Sequence, residues 1–202
     1  MKKLLLAAAV LAAPLAAPQT ADACAMRRRI EPVVVAAKVQ KNDAALAAAR
    51  DAEASGQKHT AIRLYEAVMN APGDAKNRSE AARAAARLLA QDGQTAKAVA
   101  RARRAVGFNA QSAEAQLLLG ELLVDGEAGR AVAHLDRAAA LGVAAADRAR
   151  LFLAQARGYA AFGQVDRARK HLESARLVGA DADAIAAIEA SLAPVAQVAR
   201  KS

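Results

Sequence analysis

Tryptophan is absent from this 202-residue sequence, and aromatic residues of all kinds make up 2% of it. Sheets are built from β-branched and aromatic side chains, so their scarcity argues against a β-rich fold. It also argues against a globular core of large side chains. The single cysteine, Cys24, excludes an internal disulfide framework and any multi-cysteine metal site. The three histidines, His59, His134 and His171, have no Cys or further His around them to complete a metal shell. The glycines are isolated, so no Gly-rich phosphate cradle is present. Ser and Thr are few, and none sits in a nucleophile elbow. No catalytic constellation emerges. The expectation is a protein that is not an enzyme and needs neither cofactor nor metal.

What the sequence has in abundance is alanine, which dominates an apolar content of 55%. Alanine has the best helix propensity and buries little area, and it lets helices approach closely. The composition predicts many tightly stacked helices. The formal charge is +9, carried mostly by arginine. Such a balance fits nucleic acid, anionic lipid or simple solubility.

The first segment reads as an address. Lys2 and Lys3 precede an apolar run from Leu4 to Ala17, broken only by Pro14, and Ala21-Asp22-Ala23 supplies small residues at the −3 and −1 positions. This is the layout of a secretory signal peptide, placed at 1–23, and the run is shorter than the ~20 residues of a spanning helix. Cleavage after Ala23 or after Ala25 both satisfy the small-x-small rule. Acylation of Cys24 is the alternative, and it alone would bring in a membrane, but Ala21 and Asp22 make a poor lipobox. The expected location is therefore periplasmic or extracellular.

Beyond a linker or short helix at 24–41, the chain repeats. Gly56, Gly93, Gly126 and Gly163 are spaced by 37, 33 and 37 residues. Five residues after each stands an alanine: Ala61, Ala98, Ala131 and Ala168. Nine after stand Tyr65, Ala102, Leu135 and Leu172, and four before stand Ala52, Leu89, Leu122 and Tyr159. Small and apolar residues recur at three- and four-residue steps on both sides of each glycine, the mark of paired amphipathic helices. Pro72-Gly73, Gly107, Gly142 and Gly179 read as breaks between units. Ile185, Ile188 and Leu192 form one more apolar stripe, ended by Pro194, with Asp181 or Asp183 placed to cap its start.

Ala113-Glu114-Ala115-Gln116-Leu117-Leu118-Leu119-Gly120 resembles the opening of a tetratricopeptide-repeat first helix, and the glycine spacing brackets that family's roughly 34-residue period. Phe152 and Tyr159 fall at its aromatic-favouring positions. Departures are the missing tryptophan, a closing proline only at Pro72, and one residue fewer between Gly120 and Gly126. The resemblance implies an all-α α-solenoid of about four helix-turn-helix repeats over 42–180, with a capping helix and tail at 181–202. The structural alternative is a generic α-solenoid or an irregular helical bundle.

In that family the first helices line a concave groove. The resemblance implies groove positions at Asp43, Leu46, Arg50 and Glu53, then Glu80, Arg83, Arg87 and Gln91, then Glu114, Leu117 and Glu121, then Arg150, Leu153 and Arg157. Of these, Arg50, Arg83, Arg87, Leu117, Glu121, Leu153 and Arg157 form the expected binding site for a protein or peptide with acidic and apolar side chains. From Lys76 to Arg104 eight basic residues face only Glu80 and Asp92. Two readings stay open: a site for an acidic partner, or a solvated basic face. A module for anionic glycan or lipid head groups is the alternative function. Nucleic acid is not expected, because no aromatic side chains are interleaved for base stacking. His134 and His171 occupy equivalent places, eight residues after their glycines. A metal-binding pair would need more ligands, so a surface or inter-repeat position is the preferred reading.

Mass spectrometry of the protein from the cell envelope should show a new N-terminus at Cys24 or Met26. An intact Met1 contradicts the leader, and an added acyl mass on Cys24 overturns the non-lipidated product.

Overall fold

The structure, a computed structural model, describes residues 42–199, with side chains as far as Leu192. The leader, Cys24 and the 24–41 segment lie outside the described residues. Within them the chain forms α1 (42–54), α2 (Lys58–Asn70), α3 (Ala75–Gln91), α4 (Thr95–Phe108), α5 (Ala113–Leu123), α6 (Ala128–Leu141), α7 (Arg148–Ala161), α8 (Val165–Leu177) and α9 (Ala182–Ala199). A single 3-10 turn at Ala145–Asp147 leads into α7. No strand occurs among the described residues.

The helices pair as α1/α2, α3/α4, α5/α6 and α7/α8. In three of the pairs the turn is one device repeated. The amide of Gln94 donates to the Leu89 carbonyl at 2.9 Å across Gly93, whose φ is +72°. This is a Schellman closure, in which the αL residue costs least as glycine. Gln57 to Ala52 and Gln164 to Tyr159 repeat it at 2.9 and 2.8 Å. The third pair departs from the pattern. Gly126 is not at positive φ, Glu127 N donates only four residues back to Leu123 at 2.7 Å, and Leu123 is buried where the spacing pointed to Leu122. The missing residue between Gly120 and Gly126 shifts the end of α5 by one position.

Small residues set the distance between paired helices. Ala61, Ala98, Ala131 and Ala168 are all 0% exposed. Leu135 of α6 is seated between two glycines of successive first helices. A methyl at Gly120 would lie 2.6 Å from its Cγ, and one at Gly158 would lie 3.2 Å from its Cδ1. Around these contacts four apolar clusters run along the stack. One is built on Leu46, Tyr65, Met69 and Leu89, the next on Leu118, Leu119 and Leu123, a third on Leu117, Leu135 and Leu151, and the last on Tyr159 and Leu172. Ile185, Ile188 and Leu192 of α9 complete the last cluster. Asp181 caps α9 by accepting from the Ala184 amide at 3.3 Å, just as Asp74 and Ser112 cap α3 and α5.

Among the described helices, the backbones of α3 and α5, α5 and α7, and α7 and α9 touch, whereas those of α2, α4, α6 and α8 do not touch one another. The first helices therefore crowd the inner, concave side and the second helices spread over the outer one. Two sequence-based boundaries are corrected. Gly107 lies inside α4 instead of between units, and the break falls at Asn109. Pro194 does not end the last helix, which continues to Ala199.

Ala98→Leu is expected to destabilise the fold by about 1–3 kcal/mol, the usual cost of overpacking, because its methyl sits at a helix crossing. Ala100 is exposed on the same helix, so Ala100→Leu should be close to neutral. Equal falls in melting temperature for the two variants would place the crossing elsewhere.

Candidate partner-binding groove

The concave side is strung with polar contacts between neighbouring first helices. Arg87 of α3 pairs with Glu53 of α1, and Arg50 of α1 pairs with Glu80 of α3. Asn77 Nδ2 donates to Asp43. Further along, Arg150 of α7 forks onto Glu121 of α5, with Nε at 2.6 Å from Oε1. On the outer helices Arg101 Nη2 reaches Glu66 Oε1 at 2.6 Å and Arg104 Nη2 donates to Asn70 Oδ1 at 3.0 Å. Asp43–Asn77, Glu53–Arg87 and Asn70–Arg104 are all 34 residues apart, which is one repeat. These side chains set one repeat against the next.

That use of charge changes what the groove offers a ligand. Arg50 and Arg87 stand on the concave side, but their guanidinium groups are engaged by Glu80 and Glu53. Arg83 has no carboxylate in salt-bridge range among the described residues, and its field reaches Glu114. Leu117 is a correction: it is 0% exposed and cannot meet a partner. It shares a helical face with Glu114 and Glu121, but Leu135, Leu151 and Ala154 close over it. Leu46, at 3%, is likewise core.

Glu121, Leu153 and Arg157 come together. They line an open cleft of about 460 Å³ between α5, α7 and the start of α9, together with Val124, Arg150 and Asp181. Its floor is apolar, from Val124, Ala154 and the half-buried Leu153. Burial pushes the Glu121 carboxyl above its ordinary range, against the pull of Arg150. Arg157 is 57% exposed and its nearest acid, Asp125, is 3.8 Å away, so its guanidinium is the cleft's accessible cation. The sequence did not distinguish this cleft from the rest of the groove, since it depends on where α9 starts.

The two histidines are engaged structurally. His134 Nδ1 lies 2.7 Å from Gln116 Oε1, and His171 stacks on Tyr159 with ring centroids 5.1 Å apart and planes 3° apart. Tyr159 in turn donates to Asp136 at 2.6 Å, which also accepts from Gln155 at 3.0 Å. In the first repeat Tyr65 donates to Glu53 at 2.7 Å.

Neither a protein-family model nor a curated protein sequence matches this chain. Solved structures do. YrrB, described as a TPR protein with an unusual peptide-binding site, aligns over 84% of this chain and 86% of its own, at 16% identity and a TM-score of 0.60. MamA aligns over 68% of this chain and 72% of its own, at 22% identity and a TM-score of 0.57. TTC0263, a thermophilic TPR protein in Thermus thermophilus, aligns over 76% and 80% at 21% identity, with a TM-score of 0.53. At these identities the likeness is one of fold: an all-α helical repeat of the tetratricopeptide type.

Burial lowers the proton affinity of both His134 and His171. Arg103 and Arg130 add to this at His134, where Glu127 opposes it. At His171 Asp136 opposes it and Arg167 adds to it. Both bind protons more weakly folded than unfolded, so the stability they lend is present above about pH 6.5 and is lost as pH falls. The melting temperature should decline between about pH 7 and pH 5, ahead of most carboxylates. In His134→Gln/His171→Gln the decline should flatten. An unchanged decline would assign it to other groups.

Proposed function

We propose that this chain, a tetratricopeptide-repeat protein in fold, is a non-catalytic protein-binding scaffold of the bacterial cell envelope. A partner segment docks in the concave groove at the cleft between α5 and α7. The observation that carries this reading is the pairing of an apolar floor, Leu153 and Val124, with one accessible guanidinium, Arg157. A ligand that lays an apolar side chain on the floor and turns a carboxylate to Arg157 satisfies both. The fork of a guanidinium suits a carboxylate in orientation as well as charge. Arg83, further along the groove, supplies a second cation without a carboxylate partner. YrrB's description as a peptide-binding TPR protein supports a peptide-like partner here. The leader pattern at 1–23 supports export, which places the partner outside the cytoplasm.

A partner captured by the processed chain from the envelope fraction provides the test, with affinities then measured on purified components. Leu153→Glu/Arg157→Ala is expected to weaken binding at least about tenfold, which is ~1.4 kcal/mol. Arg103→Ala/Arg104→Ala removes guanidinium groups from the outer helix α4 and should change affinity by less than about twofold, within ~0.4 kcal/mol. Equal losses would mean diffuse charge attraction, and a larger loss from the second variant would put the site on the outer face.

A further inference from the structure

The positive charge of this molecule is not spread evenly. The four first helices carry eight Lys or Arg against six Asp or Glu, whereas the four second helices carry twelve against four. Within the second helices the segregation is sharper still. Positions four, seven, eleven and fourteen after each repeat glycine lie on one helical face, by the three- and four-residue steps between them. Every residue at these positions is exposed or half-buried. Position four holds Lys97, Arg130 and Arg167 in three successive repeats. The other three positions add Arg63, Arg104, Arg137 and Lys170. No carboxylate occurs at any of the sixteen places.

Of these seven cations only Arg130 has a carboxylate partner among the described residues, Glu127, and Arg130 is itself 73% exposed. Arg104 and Arg137 donate to the neutral amides of Asn70 and Gln111. Arg167 lies 5.5 Å from the Tyr159 ring centroid. The spaces between the cations are filled by small residues, Ala67, Ala100, Gly107, Ala133 and Ala140, so nothing bulky holds an approaching surface away. The last place on the stripe is Leu177. It is 88% exposed and is followed by Val178 at 41%. In a helix whose other large apolar residues are covered, a leucine left this open is an apolar tip two turns beyond Lys170, while its neighbour Arg176 is paired with Glu189.

We propose that this outer face is a docking surface for an anionic lipid bilayer. The cations meet the headgroup phosphates, and Leu177 with Val178 enters the interface at the C-terminal end of α8. Two features favour a bilayer over a dissolved polyanion. The stripe contains no aromatic side chain on which a nucleic-acid base could stack, and a bilayer, unlike a dissolved polyanion, offers the exposed leucine an apolar medium next to fixed negative charge. This surface is separate from the concave cleft, so a scaffold could hold a membrane and a partner segment at once. The inference does not rest on the groove reading.

The test is co-sedimentation of the full chain with vesicles of phosphatidylcholine, alone or mixed with phosphatidylglycerol. Uptake by the neutral vesicles measures apolar insertion by the leader, and because Lys2, Lys3 and Arg27 to Arg29 are present in every variant, the inference concerns the differences between variants. Binding to the anionic vesicles should be at least about tenfold stronger. It should be abolished on going from about 0.1 M to about 1 M salt, as the screening length falls from about 10 Å to about 3 Å. Lys97→Gln/Arg130→Gln/Arg167→Gln should lower binding to the anionic vesicles at least about fivefold, and Leu177→Ser should weaken it severalfold. Arg50→Gln/Arg83→Gln/Arg87→Gln removes the same charge from the inner face and should bind nearly as wild type, with circular dichroism confirming that all variants are folded. An equal loss in the inner-face variant would overturn the assignment. Unchanged binding by Leu177→Ser would also overturn it, since charge alone would then carry the contact. Equal affinity for soluble polyglutamate, with the same loss in the outer-face variant, would put an acidic polypeptide on this face and overturn it as well.

Discussion

Everything in this structure depends on how closely the helices approach. With no tryptophan and almost no other aromatic residue, the chain cannot hold two helices together across a thick layer of side chains. It brings the backbones together instead, at Ala61, Ala98, Ala131 and Ala168, each 0% exposed. Small contacts are individually weak, but dispersion rises steeply as gaps close, so a narrow interface packed without voids replaces a wide one. Leu135, held between Gly120 and Gly158, shows the arrangement at its tightest. Three consecutive elements meet on one side chain, and two of them approach it most closely through a glycine.

Thin apolar seams leave the rotation of one repeat against the next weakly specified. The polar contacts one repeat apart supply that specification. Exposed ion pairs are each worth at most about 1 kcal/mol, so Arg87–Glu53 and Arg50–Glu80 add little to stability. Their geometry is another matter, because a guanidinium fork on a carboxylate is satisfied in only a few orientations. The consequence reaches function directly. An arginine that aligns repeats is not available to a ligand, and the inner face of the first two repeats is largely committed in this way. What remains accessible is where the pairing is loose or missing, at Arg157 and Arg83.

The turn-and-stripe architecture was legible because it is local. A glycine permitting positive φ, an alanine five residues on, and large residues nine on are consequences of one pair of helices, and sequence spacing records them. Tyr65, Leu135 and Leu172 are buried at their counted positions. The errors arise where a second repeat intervenes. Leu117 shares its helical face with Glu114 and Glu121, and periodicity alone makes it their neighbour in the groove. It is covered by Leu135 of its own helix pair together with Leu151 and Ala154 of the following repeat, which the face alone does not reveal. The commitment of Arg50 and Arg87 was illegible for the same reason, since their partners are 30 and 34 residues away. Gly107 shows the reverse case. Glycine costs a helix interior about 1 kcal/mol relative to alanine, and the packing of Val106 and Phe108 on either side outweighs that penalty.

The two faces of the stack are under different physical demands, and their charge follows. On the inner side, first helices touch, and most carboxylates and guanidinium groups there pair with a neighbouring repeat, as Arg50, Arg87 and Arg150 do. Charges of one sign cannot accumulate without repulsion between helices held close, so acids and bases alternate and the balance stays near neutral. On the outer side the second helices stand farther apart and meet only through long side chains, as from Arg101 to Glu66 and from Arg104 to Asn70. Nothing in the fold requires those positions to be basic. Alanine alone would keep the helices, as Ala100 and Ala133 show on the same stripe. A row of cations with no carboxylate among them, repeated at one position in three successive units, is therefore not explained by folding. It belongs to what the outer face meets.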